Sequence, residues 1–368
     1  MTRPFPPEEA GASFKAWAGG EVILHHGDPE AEYRAATTGV GLRDRSHRGQ
    51  WAFTGRAPLE MLKGVVTGSM PDAPAEVSGV TAGRATYHTV LTPKGRIVSD
   101  LWMWREVLNG SEVVRAHLPA EAREALRTYL ARILPPRLAR LEDRSEELGM
   151  LSVAGPGAAR VVSGVVLGLR LGQEELEALE EGEYRRMGGG REDEVLVMRS
   201  ADLSVPAYDI VGEREVLRAV WKLLTEAGAE PMGQKVWDTL RVEAGRPAFG
   251  SELGQDVIPV EAGIHHRAID YGKGCYTGQE VIVRIRDRGR VNRHLRRLVL
   301  DLSSELPAPG TPLFHGPERA RGEITSAVDS PTRGKLALAY VRREVEPGES
   351  VAVGSPEGPR ARVEALSD

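Results

Sequence analysis

The chain has 368 residues, of which 41% are hydrophobic and 27% are charged, with a formal net charge of −5 at pH 7. This composition is typical of a globular protein with a buried core and excludes an intrinsically disordered chain. At about 150 residues per domain, the length predicts two or three domains. No run approaches the ~18 apolar residues of a membrane helix, and the first residues lack the apolar core of a signal peptide. We therefore expect a cytoplasmic protein without membrane contact.

Cysteine and histidine usage excludes several kinds of site. Because Cys275 is the only cysteine, the chain alone forms no disulfide, no cysteine-based zinc finger and no four-thiolate iron–sulfur site. His25 adjoins His26 and His265 adjoins His266, so on regular structure each pair of side chains diverges, and we predict no metal site. The sequence also lacks phosphate-loop, zinc-hydrolase and serine-nucleophile motifs.

The predicted elements alternate between short strands and isolated helices. Apolar residues at spacings of three and four predict helices over 119–134, 215–227 and 233–244. The polar, glycine-rich stretch 188–194 predicts a hairpin tip. After about residue 290, short apolar runs alternate with turn signals, which predicts a small β-barrel. Together these elements favour an α+β fold over a helix bundle or a doubly wound sheet.

The segment Asp270–Glu280, DYGKGCYTGQE, is dense in special residues. Three glycines within seven positions indicate positive φ angles or a close approach of the backbone to another group. Lys273 lies two positions before Cys275, and a nearby ammonium raises the thiolate fraction of a thiol, which is the form that acts as nucleophile or metal ligand. Cys275 and Lys273 are therefore candidate functional residues. The alternative is a buried, inert cysteine in a tight turn.

Arginines recur immediately after this segment. Arg284, Arg286, Arg288 and Arg290 alternate along the chain and would line one face of an extended strand. Arg293, Arg296 and Arg297 extend the patch. The run indicates either a solvated strand rim, which the acidic overall charge favours, or a weak contact with RNA.

The octapeptide KGCYTGQE at 273–280 resembles the signature of the YgfZ family of folate-binding proteins, which includes mitochondrial iron–sulfur assembly factors. Other segments resemble the wider superfamily of the glycine-cleavage T-protein, the tetrahydrofolate-dependent aminomethyltransferase. They are TGVGLRDRSHRGQ at 38–50, DTLRVEAG at 238–245, PVEAGI at 259–264, GEITS at 322–326 and LAYV at 338–341. The resemblance covers most of the chain.

The resemblance implies an aminomethyltransferase-like fold of three domains around a central folate pocket. We expect an N-terminal α+β domain at 1–145, a central α+β domain with the octapeptide at 146–288, and a C-terminal β-barrel at 289–368. The chain is expected to cross between the first two domains, so that they interleave.

The same resemblance implies candidate folate contacts. Asp100 takes the place of the T-protein's functional aspartate, although a strand-edge carboxylate is the alternative. The guanidinium of Arg241 suits the glutamate tail of folate, although an ion pair with Asp238 or Glu243 is equally compatible with the sequence. Tyr276 and Gln279 of the octapeptide complete the candidate contacts.

One departure from the T-protein pattern bears on function. T-proteins carry Gly-Tyr-Thr-Gly-Glu with a glutamate that reads the pterin, whereas this chain has ADLSV at 201–205. The anchor is missing or displaced to Asp202, and a pocket without that carboxylate binds folate more weakly or in another pose. This departure favours a YgfZ-like role, while Asp100 points to the enzymatic branch.

The sequence therefore predicts a folate-binding protein, with tetrahydrofolate or a derivative as cofactor, that supports iron–sulfur cluster assembly or repair and thereby cluster enzymes such as those modifying tRNA. Cys275, activated by Lys273, would face the folate pocket and lend one ligand or react with a carbon unit or an oxidised sulfur species. The alternative is a tetrahydrofolate-dependent aminomethyltransferase or demethylase in which Asp100 assists C–N chemistry. Expected partners are folate, iron–sulfur client or assembly proteins, and weakly bound RNA.

Overall fold

The structure, a computed structural model, describes residues 11–18, 20–77, 79–108, 110–165, 171–187, 195–301, 305–316 and 319–366. The hairpin tip predicted at 188–194 lies outside these ranges. The helices are α1 Pro29–Thr38, α2 Pro58–Lys63, α3 Arg123–Leu130, α4 Ala158–Val165, α5 Gln173–Glu177, α6 Arg214–Glu226, α7 Gln234–Ala244, α8 His265–Ala268 and α9 Gln279–Arg288. Within the described ranges, no helix is long and apolar enough to cross a membrane.

Within the described part of the chain, twenty-one strands accompany the helices. The first eleven are β1 Ser13–Trp17, β2 Gly20–His25, β3 Gly41–Asp44, β4 Gly49–Thr54, β5 Ala75–Val77, β6 Val80–Arg84, β7 Thr86–Leu91, β8 Ile97–Leu108, β9 Ser111–Leu118, β10 Arg140–Asp143 and β11 Leu148–Ala154. The others are β12 Glu183–Met187, β13 Leu196–Ser200, β14 Ala207–Glu213, β15 Glu230–Pro231, β16 Arg293–Leu300, β17 Pro312–Phe314, β18 Ala320–Ser330, β19 Gly334–Arg342, β20 Ser350–Val353 and β21 Arg360–Glu364.

Two of the three predicted helices match the structure closely. The apolar stripe of α6 is buried, with Leu217 and Leu224 fully inaccessible, and α7 ends before Gly245, which has a φ of +71°. The helix predicted over 119–134 is shorter than expected, because α3 ends at Leu130 and the next residues form tight turns. Pro135 explains this early end, since a proline disfavours helical backbone in the residue before it.

The largest sheet has eight strands in the order β15-β3-β11-β14-β13-β12-β6-β5. Neighbouring strands are antiparallel, except that β15 runs parallel to β3. Since β3 lies near residue 41 and β11 near residue 150, this sheet joins segments that the sequence assigns to the first and the second predicted domains. A core cluster that includes Ile210, Val162 and Leu217 packs α4 and α6 against the sheet.

The C-terminal barrel is closed, as predicted, in the order β16-β19-β18-β17-β20-β21. Its inward side chains are small or branched, and Leu298, Leu313, Ala339 and Val363 have almost no exposed surface. At the end of β16, the accessible Val299 lies between the buried Leu298 and Leu300, which follows the two-residue period of a strand. A second sheet in the chain has the order β10-β4-β9-β8-β7.

The chain forms two compact units. Unit 1 comprises residues 1–64, 68–88 and 101–237, and unit 2 comprises residues 65–67, 89–100 and 238–368. Unit 2 therefore takes two short stretches from the N-terminal third of the chain. Within unit 2, the backbone N–H of Ile97 donates to the carbonyl of Val257 at 3.0 Å.

The first part of the arginine run is helical rather than extended, so these residues do not line the single face that an extended strand would give them. The last three arginines of the run lie on the strand β16. Positions 284, 286 and 288 lie on α9, where residues two apart point to nearly opposite sides and residues four apart share a side. Burial of Ile282, which has no exposed surface, explains the helix because it anchors an apolar stripe.

Candidate functional site

The octapeptide 273–280 lies against the end of β7 and the following turn, all within unit 2. Gly278 has a φ of +84°, and a Cβ there would lie 2.7 Å from the carbonyl oxygen of Thr92. Gly95 has a φ of +72° and packs against Val281 of α9. A Cβ added at Gly95 would lie 3.1 Å from the Cβ of Val281. Only glycine combines this conformation with this contact, so the glycines seat the octapeptide on the turn.

Lys273 ties the octapeptide to the stretch 65–67. Its ammonium donates to the carbonyl oxygen of Val66 at 2.6 Å and lies 5.6 Å from the ring centroid of Tyr276. Asp270 adds a second tie, because its backbone N–H donates to the carbonyl of Thr67 at 3.0 Å. The octapeptide is thus anchored at its N-terminal side by a charge-assisted hydrogen bond.

The Cys275 thiol lies at the surface. This position differs from the alternative of a buried, inert cysteine, since an exposed thiol is open to reagents and ligands. Activation of the thiol by Lys273 stays a prediction.

Tyr276 carries a buried hydroxyl that has no hydrogen-bond partner among the described residues. The residue is only 6% exposed, and burial, with a smaller contribution from Tyr271, raises the pKa of Tyr276 to about 12. A buried polar group without a partner costs about 1–3 kcal/mol. Such a group is ready to pair with a ligand atom. Sequence analysis selected Tyr276 by its motif alone, because nothing in the sequence shows that the hydroxyl is buried and unpaired.

Asp100 and Gln279 are both half-buried residues of unit 2. Asp100 is the fourth residue of β8, and its Oδ1 atom is buried. Gln279 is the first residue of α9, directly after Gly278. The structure thus places a carboxylate and an amide at half-buried positions, where each can meet a polar ligand.

The Arg241 guanidinium is committed to internal contacts. It donates to Asp238 at 3.3 Å, to Glu252 at 2.9 Å, to the carbonyl of Arg246 at 2.9 Å and to Ser326 at 3.1 Å. Burial alone would lower the pKa of Arg241, but the charges of Glu252 and Asp238 raise this pKa above its usual value. Of the two alternatives that the sequence leaves open, the structure forms the ion pair, with Glu252 as a partner that sequence analysis missed.

Asp202 lies near a buried ion pair of unit 1. Arg45 pairs with Asp209 at 3.2 Å, and its guanidinium carbon lies 4.0 Å from the ring centroid of Trp237. Burial lowers the pKa of Arg45, and the negative charges of Asp209 and Asp202 partly offset this decrease. Burial raises the pKa of Asp209. Asp202 therefore acts electrostatically on this pair. Sequence analysis did not predict this ion pair, because its two residues are far apart along the chain.

The histidine pair at the start of α8 differs from expectation. The ring centroids of His265 and His266 are only 3.8 Å apart, so the two side chains do not diverge. Among the residues that the structure describes, no group of three or more histidine, cysteine, aspartate or glutamate side chains is arranged to hold a metal ion.

Comparison with known proteins identifies the family. The model of the GCVT N-terminal domain matches residues 9–273, and that of the glycine cleavage T-protein C-terminal barrel domain matches residues 293–367. The chain therefore belongs to the glycine-cleavage T-protein superfamily, which confirms the sequence prediction at that level. These matches do not establish membership of the YgfZ branch.

Two curated relatives and one solved structure illustrate the similarity. An aminomethyltransferase from Rubrobacter xylanophilus is 31% identical over 93% of this chain and 87% of its own, and one from Corynebacterium jeikeium is 27% identical over 95% and 90%. The crystal structure of glycine cleavage system aminomethyltransferase T from Bartonella henselae superposes with a TM-score of 0.81 at 22% identity, covering 97% of this chain and 94% of that one. The predicted α+β fold with its C-terminal barrel is confirmed.

Proposed function

We propose that the protein binds tetrahydrofolate and acts as a one-carbon transferase of the aminomethyltransferase type. The family assignment and the relatives named aminomethyltransferase support this activity over the iron–sulfur role that we expected first. The observation that carries the proposal is Asp100, a half-buried carboxylate at the position that the resemblance assigns to the functional aspartate.

Three residues of unit 2 can contact a folate. The Tyr276 hydroxyl, buried and without a partner among the described residues, can bond to a polar atom of the ligand. The Asp100 carboxylate can accept a hydrogen bond from a ring amine. Gln279 can donate and accept through its amide. Arg241 is not a contact in this proposal, because its guanidinium already pairs with Glu252 and Asp238.

Each residue has a defined task. Tetrahydrofolate, when bound, supplies the nitrogen atoms that receive the one-carbon unit. Asp100 orients the ring amine and takes up the proton that C–N bond formation releases. Tyr276 stays a neutral donor throughout the physiological range, because its pKa is raised to about 12. Arg241 positions α7 by holding Glu252 and Ser326.

The test is a titration of the full chain with tetrahydrofolate and with 5-formyl-tetrahydrofolate, followed by tryptophan fluorescence, for which the six tryptophans provide the signal. A parallel assay measures methylene-tetrahydrofolate formed from an aminomethyl donor. Saturable binding with turnover is the expected result. The absence of folate binding would overturn the proposal.

A second candidate function is the YgfZ-type role in iron–sulfur cluster assembly or repair. The exposure of Cys275 within KGCYTGQE favours it, as does the sequence ADLSV at 201–205 in place of the T-protein glutamate. In this role Cys275 acts as a thiolate that contacts a client or assembly protein. Folate binding without turnover, together with loss of support for a reconstituted iron–sulfur enzyme in Cys275→Ser, would favour this candidate over the first.

Contact with RNA belongs to this second candidate only. Because positions 284 and 286 point to different sides of α9, they do not form the single arginine face that tight RNA binding would use. We expect weak, non-specific binding that disappears near 0.15 M salt, where the Debye length is about 8 Å. A filter-binding series in salt measures it, and submicromolar tRNA binding at that salt would contradict it.

A further inference from the structure

A cleft of about 620 Å³ opens in unit 2 at the C-terminal end of α9. Its walls come from α8, the turn at Tyr271, the end of α9, the start of β16 and the turn after β19. This volume lies within the roughly 300–1,000 Å³ typical of small-molecule sites. None of the proposed folate contacts, Asp100, Tyr276 and Gln279, lines the cleft, and neither does Cys275.

Two arginines on the cleft are unpaired. The guanidinium groups of Arg290 and Arg343 are exposed and form neither an ion pair nor a hydrogen bond within the described part of the chain. Arg293, which is close by in sequence, is paired instead, because its Nε atom lies 3.4 Å from a carboxylate oxygen of Glu261. Two unpaired guanidiniums on one concave surface leave an excess of positive charge, which phosphate groups can neutralise through two parallel hydrogen bonds to each guanidinium.

The opposing charges are smaller. The C-terminal end of a helix carries about half a negative charge, and Glu346 adds one carboxylate at the rim. The third arginine, Arg286, is paired with Asp287 at 2.6 Å. His294 adds a polar ring without a charge at neutral pH, because burial and the charge of Arg296 lower its pKa. The cleft therefore keeps a small net positive charge that favours an anionic ligand.

One side of the cleft is aromatic. The Arg286 guanidinium carbon lies 5.2 Å from the ring centroid of Tyr271, and the rings of His265 and His266 lie 3.8 Å apart. Ile285 of α9 adds apolar surface. Burial raises the pKa of Tyr271, so its phenol stays neutral beside an anion. A flat, weakly polar body fits this side, while the anionic end fits the arginines.

We propose that this cleft binds a small phosphate-bearing molecule with a flat aromatic body, of the size of a nucleoside diphosphate. Arg290 and Arg343 hold the phosphate oxygens, and the aromatic body lies against Tyr271. None of the folate contacts proposed above lines the cleft, so the proposal predicts that the two ligands bind without competing.

The test is isothermal titration calorimetry of the full chain with ADP and with inorganic pyrophosphate at low salt and at 0.15 M salt. ADP is expected to bind more tightly than pyrophosphate, and Tyr271→Leu is expected to remove that difference. Arg290→Ser combined with Arg343→Ser should weaken ADP binding at least tenfold. The matched control combines Arg132→Ser with Arg360→Ser, two exposed arginines away from the cleft, and should change the affinity less than twofold.

Glu346→Gln provides a test with the opposite sign, because removal of the one lining carboxylate should tighten ADP binding several-fold. Equal losses in the cleft variant and in the control would show unspecific attraction by net charge and overturn the proposal. So would competition between ADP and 5-formyl-tetrahydrofolate, which would assign the cleft to folate. Tighter binding of triglutamate or of a short RNA than of ADP would likewise overturn it.

Discussion

Arg241 and Lys273 are both cations of unit 2 that the sequence selects as candidate site residues, and the structure uses them differently. Arg241 is 5% exposed and its guanidinium contacts two carboxylates, a hydroxyl and a carbonyl. Lys273 is half-buried and lies between the carbonyl of Val66 and the ring of Tyr276, two positions before an exposed thiol. A cation that makes four hydrogen bonds inside the protein stabilises the fold, whereas a cation two positions before an exposed thiol and close to the ring of Tyr276 can serve a ligand.

The largest effect should come from Arg241→Met. This change leaves the Glu252 carboxylate, whose side chain is fully buried, without its cation, so the free energy of unfolding should fall by about 3–5 kcal/mol. Urea denaturation measures it. The control Arg84→Met removes an exposed pair with Glu180 and should cost less than about 1 kcal/mol. A stable Arg241→Met protein that no longer binds folate would show that Arg241 belongs to the site after all.

Asp100→Asn should have the next largest effect, on binding rather than on stability. Loss of a charged hydrogen bond should weaken tetrahydrofolate binding by about 1–3 kcal/mol, with the melting temperature nearly unchanged. Fluorescence titration and calorimetry measure the two quantities. Asp329→Asn changes an exposed carboxylate of unit 2 and should alter neither. A large loss of stability with intact folate affinity would make Asp100 a structural carboxylate like Glu252.

Tyr276 makes a smaller difference that depends on pH. Its pKa is raised in the folded protein to about 12, so the unfolded chain loses the phenolic proton first. The stabilisation is complete below pH 10 and is lost as the pH rises towards 12. Between pH 9 and pH 11 the wild type should therefore lose about 1 kcal/mol more stability than Tyr276→Phe, measured by urea denaturation. Identical pH profiles would show that the ring is accessible to solvent in the folded protein.

The smallest expected effect concerns Lys273→Met. If the ammonium stabilises the Cys275 thiolate, alkylation by iodoacetamide at pH 7 should slow several-fold, as followed by mass spectrometry. Lys94→Met, an exposed lysine of the same unit, should leave the rate unchanged. An unchanged rate combined with lower stability would mean that Lys273 only anchors the octapeptide to Val66, as Arg241 anchors its neighbours.

Local patterns in the sequence predicted the local structure well. The stripe of α6 and the strand-and-turn alternation of the barrel each depend on side chains close together along the chain. The arginine run was misread because the alternation of charged residues was given more weight than Ile282 and its apolar neighbours, whose burial decides the conformation.

Sequence analysis could predict only those residues of the candidate site that belong to a recognisable motif. KGCYTGQE marks the segment, but the pairing of Arg241 with Glu252 and the buried hydroxyl of Tyr276 depend on packing between distant segments. The same holds for the cleft, which Arg290 and Arg343 line together although they are far apart in sequence. No spacing rule in a single sequence reports such contacts.

The discontinuity of unit 2 has a consequence for the order of events during synthesis. The stretch 89–100 leaves the ribosome long before Val257 and Val281. The carbonyl of Val257 accepts a hydrogen bond from the backbone N–H of Ile97, and Val281 packs against Gly95. These contacts can therefore form only after about three quarters of the chain has been made, and they join residues of large sequence separation, which slows folding. A nascent chain arrested before residue 257 should expose to proteases and chaperones those residues of the stretch that are buried in the finished protein.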